Sequence, residues 1–109
     1  MEIIAMGELR EYLKVNIPKF TDPVIFISSE FMPGCPMCNS STSVYYIKLT
    51  ERDSVPDAAN VEKAEDHKFP IDIFVQYAVQ KSKPRKIVIG TKRSANSLIM
   101  VLKKITDSI

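Results

Sequence analysis

Five apolar residues at every second position, Ile71, Ile73, Val75, Tyr77 and Val79, alternate with Asp72, Phe74, Gln76, Ala78 and Gln80. A period of two belongs to an extended strand with one face against a core, whereas a helix repeats every 3.6 residues. Pro70 precedes the run, and Lys81-Ser82-Lys83-Pro84 supplies a turn after it. Lys86-Ile87-Val88-Ile89 reads as a second strand ended by Gly90. Together the two runs predict an antiparallel hairpin with a longer loop.

Elsewhere the period changes. Leu9, Tyr12, Leu13 and Ile17 recur at helical spacing, which predicts a helix over 7–15 stopped by Pro18. Val24-Ile25-Phe26-Ile27 is a short apolar run rich in β-branched residues and reads as a buried strand after Pro23. Ser94 suits a helix N-cap. Leu98, Val101, Leu102, Ile105 and Ile109 then fall at the spacing of an amphipathic C-terminal helix. The middle third is ambiguous. Val44-Tyr45-Tyr46-Ile47-Lys48-Leu49 is strand-like by propensity, and a helix over 36–51 is its rival. Pro56 ends either one. Asn60-Val61-Glu62 predicts a short strand, and the charged 62–68 predicts loop or a short helical turn.

The chain has 109 residues, the usual size of one domain, so a single domain over 1–109 is expected. It is 45% hydrophobic and 26% charged, which excludes a disordered tail. No apolar run approaches the roughly 18 residues of a membrane helix, so no membrane partner is expected. The first six residues lack the basic flank and long apolar stretch of a signal peptide, which predicts a cytoplasmic protein. Charge is unevenly spread. Residues 1–80 hold 7 Lys or Arg against 12 Asp or Glu, and residues 81–109 hold 8 against 1. The basic cluster is Lys81, Lys83, Arg85, Lys86, Lys92 and Arg93. Such a patch attracts phosphate or an acidic partner, or is simply a solvated turn and helix start.

Cys35-Pro36-Met37-Cys38 is the sharpest chemical feature. A thiol attacks as the thiolate, and free N–H groups in the first turn of a helix lower its pKa. Two cysteines three apart at a helix start can attack a substrate disulfide and then resolve the mixed disulfide. The same spacing is also half of a metal site. A closed zinc site needs four ligands. One chain offers Cys35, Cys38 and His67 beside carboxylates such as Glu65 and Asp66, which under-supplies it, so no metal site is expected within a single chain. Two chains could share a metal between two cysteine pairs. The residues after the pair discriminate. A strand over 44–49 would put the cysteines at a hairpin knuckle, a geometry that favours metal over redox chemistry.

The order helix, strand, C-P-M-C, proline-led strand, second strand, glycine and final helix resembles the thioredoxin/glutaredoxin superfamily. Cys35-Pro36-Met37-Cys38 is similar to the C-P-x-C of glutaredoxins and some disulfide oxidases, Phe69-Pro70 to the cis-proline corner, and Ile89-Gly90 to the glycine that ends the last strand. The resemblance implies an α/β fold with a central mixed sheet flanked by helices. It implies a small thiol–disulfide oxidoreductase acting in electron transport, needing no cofactor, with a protein or low-molecular-weight disulfide as substrate. Cys35 would attack and Cys38 resolve. Pro36, Met37, Phe69 and a cis Pro70 would meet the substrate.

Two non-enzymatic readings stand beside it. In one, the basic stretch 81–93 docks nucleic acid or an acidic protein, extended by Lys103 and Lys104 if their helix face agrees. Aromatic residues are not interleaved with that stretch, so base stacking has little support. In the other, two chains form a metal-linked homodimer through their cysteine pairs.

Overall fold

The computed structural model describes residues 2–33, 41–64, 69–77 and 84–107. The elements are β1 (Glu2–Ala5), α1 (Leu9–Asn16), β2 (Pro23–Pro33), β3 (Ser41–Glu51), β4 (Val61–Lys63), β5 (Ile73–Gln76), β6 (Pro84–Ser94) and β7 (Ser97–Asp107). Short 3-10 turns occupy Ile17–Lys19 and Arg52–Ser54. One sheet has the order β1-β6-β7, with β1 parallel and β7 antiparallel to β6. The other has the order β3-β2-β5-β4, in which only the β2–β5 pair is parallel.

The helix forms where its period predicts. Gly7 turns the chain out of β1 at φ 65°, a conformation that costs glycine little. The Met6 N–H donates to the Ile89 carbonyl at 2.8 Å, which fastens this turn to β6. Leu9 and Leu13, one turn apart, bury their side chains, and Pro18 sits in the 3-10 turn that closes the helix.

Both sheets and the helix feed one hydrophobic cluster. Ile3, Ile87, Ile89 and Met100 come from one sheet, and Ile25, Ile27, Ile73 and Val75 from the other. Leu9 and Leu13 of α1 join them. Six of these isoleucine and valine side chains are fully buried. Alternation explains the choice, since residues two apart on a strand share a face.

This architecture overturns the helix-flanked thioredoxin-like arrangement. The described residues contain two mixed sheets and one short α-helix. Three local readings change with it. First, the C-terminal helix is a strand. Ala95 and Asn96 take φ of 47° and 66° and turn β6 directly into β7, with Ser94 opposite Ser97. Two consecutive left-handed residues are what a tight hairpin turn needs. Met100 and Leu102 face the core at period two. A bulge after Leu102 shifts the next inward residue to Ile105. That one-residue insertion makes 102 to 105 look like a helical step.

Second, among the described residues the alternating run after Pro70 supplies the four-residue β5, which pairs with β2 and β4 and not with β6. The predicted hairpin between these two strands does not form. Third, Gly90 does not end its strand, because β6 runs on to Ser94. A side chain at Gly90 would strike Lys103, whose Cγ lies 2.9 Å from the position of a Cβ there. The middle third resolves as strand, with 44–49 inside β3 and 61–63 forming β4. No helix among the described residues is long and apolar enough to cross a membrane.

Candidate functional site

The longest regular feature of the second sheet is the β2–β3 hairpin. Eleven residue pairs run without a break from Pro23 opposite Glu51 to Pro33 opposite Ser41. The sequence holds this register from both faces. Ile25 and Ile27 point into the core, with Ile47 and Leu49 packed against the same cluster. On the other face the Lys48 ammonium stands 6.0 Å from the centre of the Phe26 ring. A one-residue slip would turn every one of these side chains over.

Cys35, Pro36, Met37 and Cys38 lie outside the described residues, in the seven-residue connection between the paired ends of this hairpin. Cys35 follows Pro33 by two residues, and Cys38 precedes Ser41 by three. Ser41 already belongs to β3. The long helix that the thioredoxin resemblance requires after the pair therefore does not exist.

Phe69 and Pro70 are in the stretch that leads into β5. Phe69 is half-buried against the core and Pro70 is exposed. No peptide bond among the described residues is cis, Phe69–Pro70 included, which corrects the expected cis-proline corner. The register adds a second difference. Ile73 pairs in parallel with Ile25, so Pro70 lies level with the start of β2, while the cysteines connect to its far end. About ten strand residues, roughly 30 Å at 3.3 Å per residue, separate the two ends of β2.

Of the basic cluster, Arg85, Lys86, Lys92 and Arg93 lie on β6, and Lys81 and Lys83 are outside the described residues, as is His67. Arg93 is paired with Glu8 at 3.1 Å. Lys103 and Lys104 lie on β7 and not on a helix.

One charged cluster has no signature in the sequence. Arg52 donates from Nε to Asp22 at 3.0 Å and from a terminal nitrogen to Asp72 at 2.7 Å. The Lys63 ammonium is 3.6 Å from Asp72, and the Arg52 guanidinium stands 5.6 Å from the centre of the Phe74 ring. Arg52, Lys63 and Phe74 border a shallow cleft of about 260 Å³ whose walls include Pro56, Asp57 and Val61. Residues 22, 52, 63 and 72 come from four separate parts of the chain, so only the sheet order reveals the cluster. Its charges satisfy one another, and it works as a clasp between the turn after β3 and the approach to β5.

The hydrogen bond from Arg52 holds the Asp72 carboxyl below the ordinary carboxylate range, with Lys63 adding to the effect against partial burial. The same bond raises the Arg52 pKa further. A carboxyl with a depressed native pKa stabilises the fold above its unfolded pKa of about 3.9, and that contribution disappears as pH falls through the native value. Urea unfolding of the parent protein and of Asp72→Asn from pH 7 to pH 2 will show this. The gap between the two is expected to be constant above about pH 5 and to close at lower pH. A gap independent of pH down to pH 2 would show that the Arg52–Asp72 bond carries no linkage.

Among the described residues no group of three or more His, Cys, Asp or Glu converges as metal ligands. Compared with models of protein families, with curated proteins and with solved structures, the chain shows no match.

Proposed function

We propose that the chain is a thiolate–metal module in which two copies share one zinc ion through Cys35 and Cys38 of each. The observation that carries this is the hairpin itself, since a C-x-x-C between the paired ends of two antiparallel strands is the arrangement that zinc ribbons and related knuckles use. Four thiolates complete a tetrahedral shell, and one chain holds two cysteines. Each thiol loses its proton on binding, so one metal ion releases up to four protons and affinity weakens as pH is lowered.

The experiment is metal analysis of protein purified without chelator, together with its mass in solution. A zinc-to-chain ratio near one half and a dimer that chelator converts to monomer are expected. Cys35→Ser and Cys38→Ser should each lose both. The rival chemistry is dithiol–disulfide exchange with Cys35 attacking and Cys38 resolving. It gives a different result in the same preparation, namely metal-free protein with a reversible Cys35–Cys38 disulfide in a redox titration read by mass spectrometry. That result would overturn the metal reading. A ratio near one in a monomer would overturn the shared site.

A further inference from the structure

The outer face of the β1-β6-β7 sheet gathers charge that the linear sequence separates. Ile87 and Ile89 point into the core, so Lys86, Val88, Gly90 and Lys92 stand on the other face of β6, where Val88 is itself buried. On β7, Lys104 stands in register with Val88, and Ile99 with Lys92. Cross-strand partners share a face, which puts Lys104 outward as well. The bulge between these pairs brings Lys103 to the same side, where its aliphatic stem lies over Gly90. Four lysines therefore occupy one face of the β6–β7 pair, with β1 alongside β6 at Lys86 and Val88. Among the described residues, none of the four ammonium groups has a carboxylate within ion-pair distance. Glu2 is the one acidic residue in register with them, opposite Lys86.

The geometry points to this pair as a binding face for the phosphate backbone of double-stranded nucleic acid. Three observations select that occupant. Lys86 and Lys92 are six residues apart, about 20 Å along an extended strand, which is the rise of about six base pairs. The far end of the pair presents exposed Ser94, Asn96 and Ser97, side chains that donate to phosphate oxygens. The outward positions of β1, β6 and β7 carry no Tyr, Trp or Phe. Single-stranded bases would have no ring to stack on, and a protein partner would lack the aromatic anchors that dominate protein interfaces.

The test is fluorescence polarisation of a labelled 20-base-pair duplex against the full-length chain at several salt concentrations. Four lysine–phosphate contacts give a slope of about −3.6 in log affinity against log salt, so affinity should fall about 150-fold between 50 and 200 mM salt. The double variant Lys92→Gln/Lys104→Gln removes two exposed charges. It should bind more weakly at 50 mM salt and lose only about 12-fold over the same range. An unchanged thermal midpoint will confirm that the variant is folded. The inference is overturned by an absence of binding at 50 mM salt up to about 100 µM chain, the weak end of non-specific binding. It is equally overturned by a salt dependence that the double variant leaves unchanged. Competition by polyglutamate stronger than by unlabelled duplex would assign the face to an acidic protein and reject nucleic acid.

Discussion

Ile27→Ala and Ile89→Ala should each destabilise the protein by about 2–5 kcal/mol, the usual loss for truncating a buried aliphatic side chain. Both residues are fully buried, and they come from different sheets. Both belong to the same cluster, together with Leu9 and Leu13 of α1. The removed methyl groups lose their transfer free energy, and close-packed neighbours on two sheets and a helix cannot collapse to fill the gap. Stability of a domain this size is only about 5–15 kcal/mol, so either change removes a large fraction of it. Urea denaturation followed by tryptophan-independent probes, far-UV circular dichroism and tyrosine fluorescence, will measure the loss. Both variants should show one transition, because the sheets share their core. A loss under 1 kcal/mol in either variant, or a second transition in one of them, would contradict a cluster common to both sheets.

The second large effect concerns the β6–β7 turn, and here the sign of the change discriminates. Asn96→Pro should cost about 2 kcal/mol or more. Proline locks φ near −65°, and Asn96 sits at 66°. Proline also pushes the residue before it out of helical conformations, which disturbs Ala95 as well. Ala95→Gly should raise stability by about 0.5–1 kcal/mol, because glycine meets φ of 47° without the steric penalty that alanine carries. A helix starting at Ser94 would reverse both outcomes. Proline is welcome in the first turn of a helix, and glycine is worse there than alanine. Thermal unfolding of the two variants beside the parent protein gives the comparison. A neutral proline variant with a weakened glycine variant would restore the helix.

The two halves of the chain differ in how much local pattern reveals. Helix α1 was readable because Leu9 and Leu13 carry its period and Pro18 closes it. Strand β2 was readable because a β-branched run between proline breaks has few alternatives. The C-terminal third misled for a definite reason. Met100, Leu102 and Ile105 all face the core, but the bulge at Lys103 inserts one residue between the second and third. The result imitates helical spacing, and the left-handed pair Ala95-Asn96 that would have announced a hairpin contains no glycine.

The candidate sites divide in the same way. The C-x-x-C spacing and its chemistry are visible in four consecutive residues. Whether those residues begin a helix or join two strands depends on β3, whose 44–49 segment satisfies either propensity until it pairs with β2. The resemblance to thioredoxin-like proteins rested on a final helix that is strand β7, and sheet order and a trans Phe69–Pro70 bond remove the corner it needs.

From its residues alone, this chain determined where apolar side chains must be hidden, where prolines stop an element, and that two thiols stand three residues apart. Those are local properties, set by steric preference and by the cost of exposing apolar surface. The tertiary structure alone decided which strands are neighbours, that Lys103 and Lys104 share a face with Lys86 and Lys92, and that Arg52 meets Asp22 and Asp72. Each of these depends on pairing between segments far apart in sequence. Such pairing is chosen by the packing of the whole core, a quantity no short window of sequence contains.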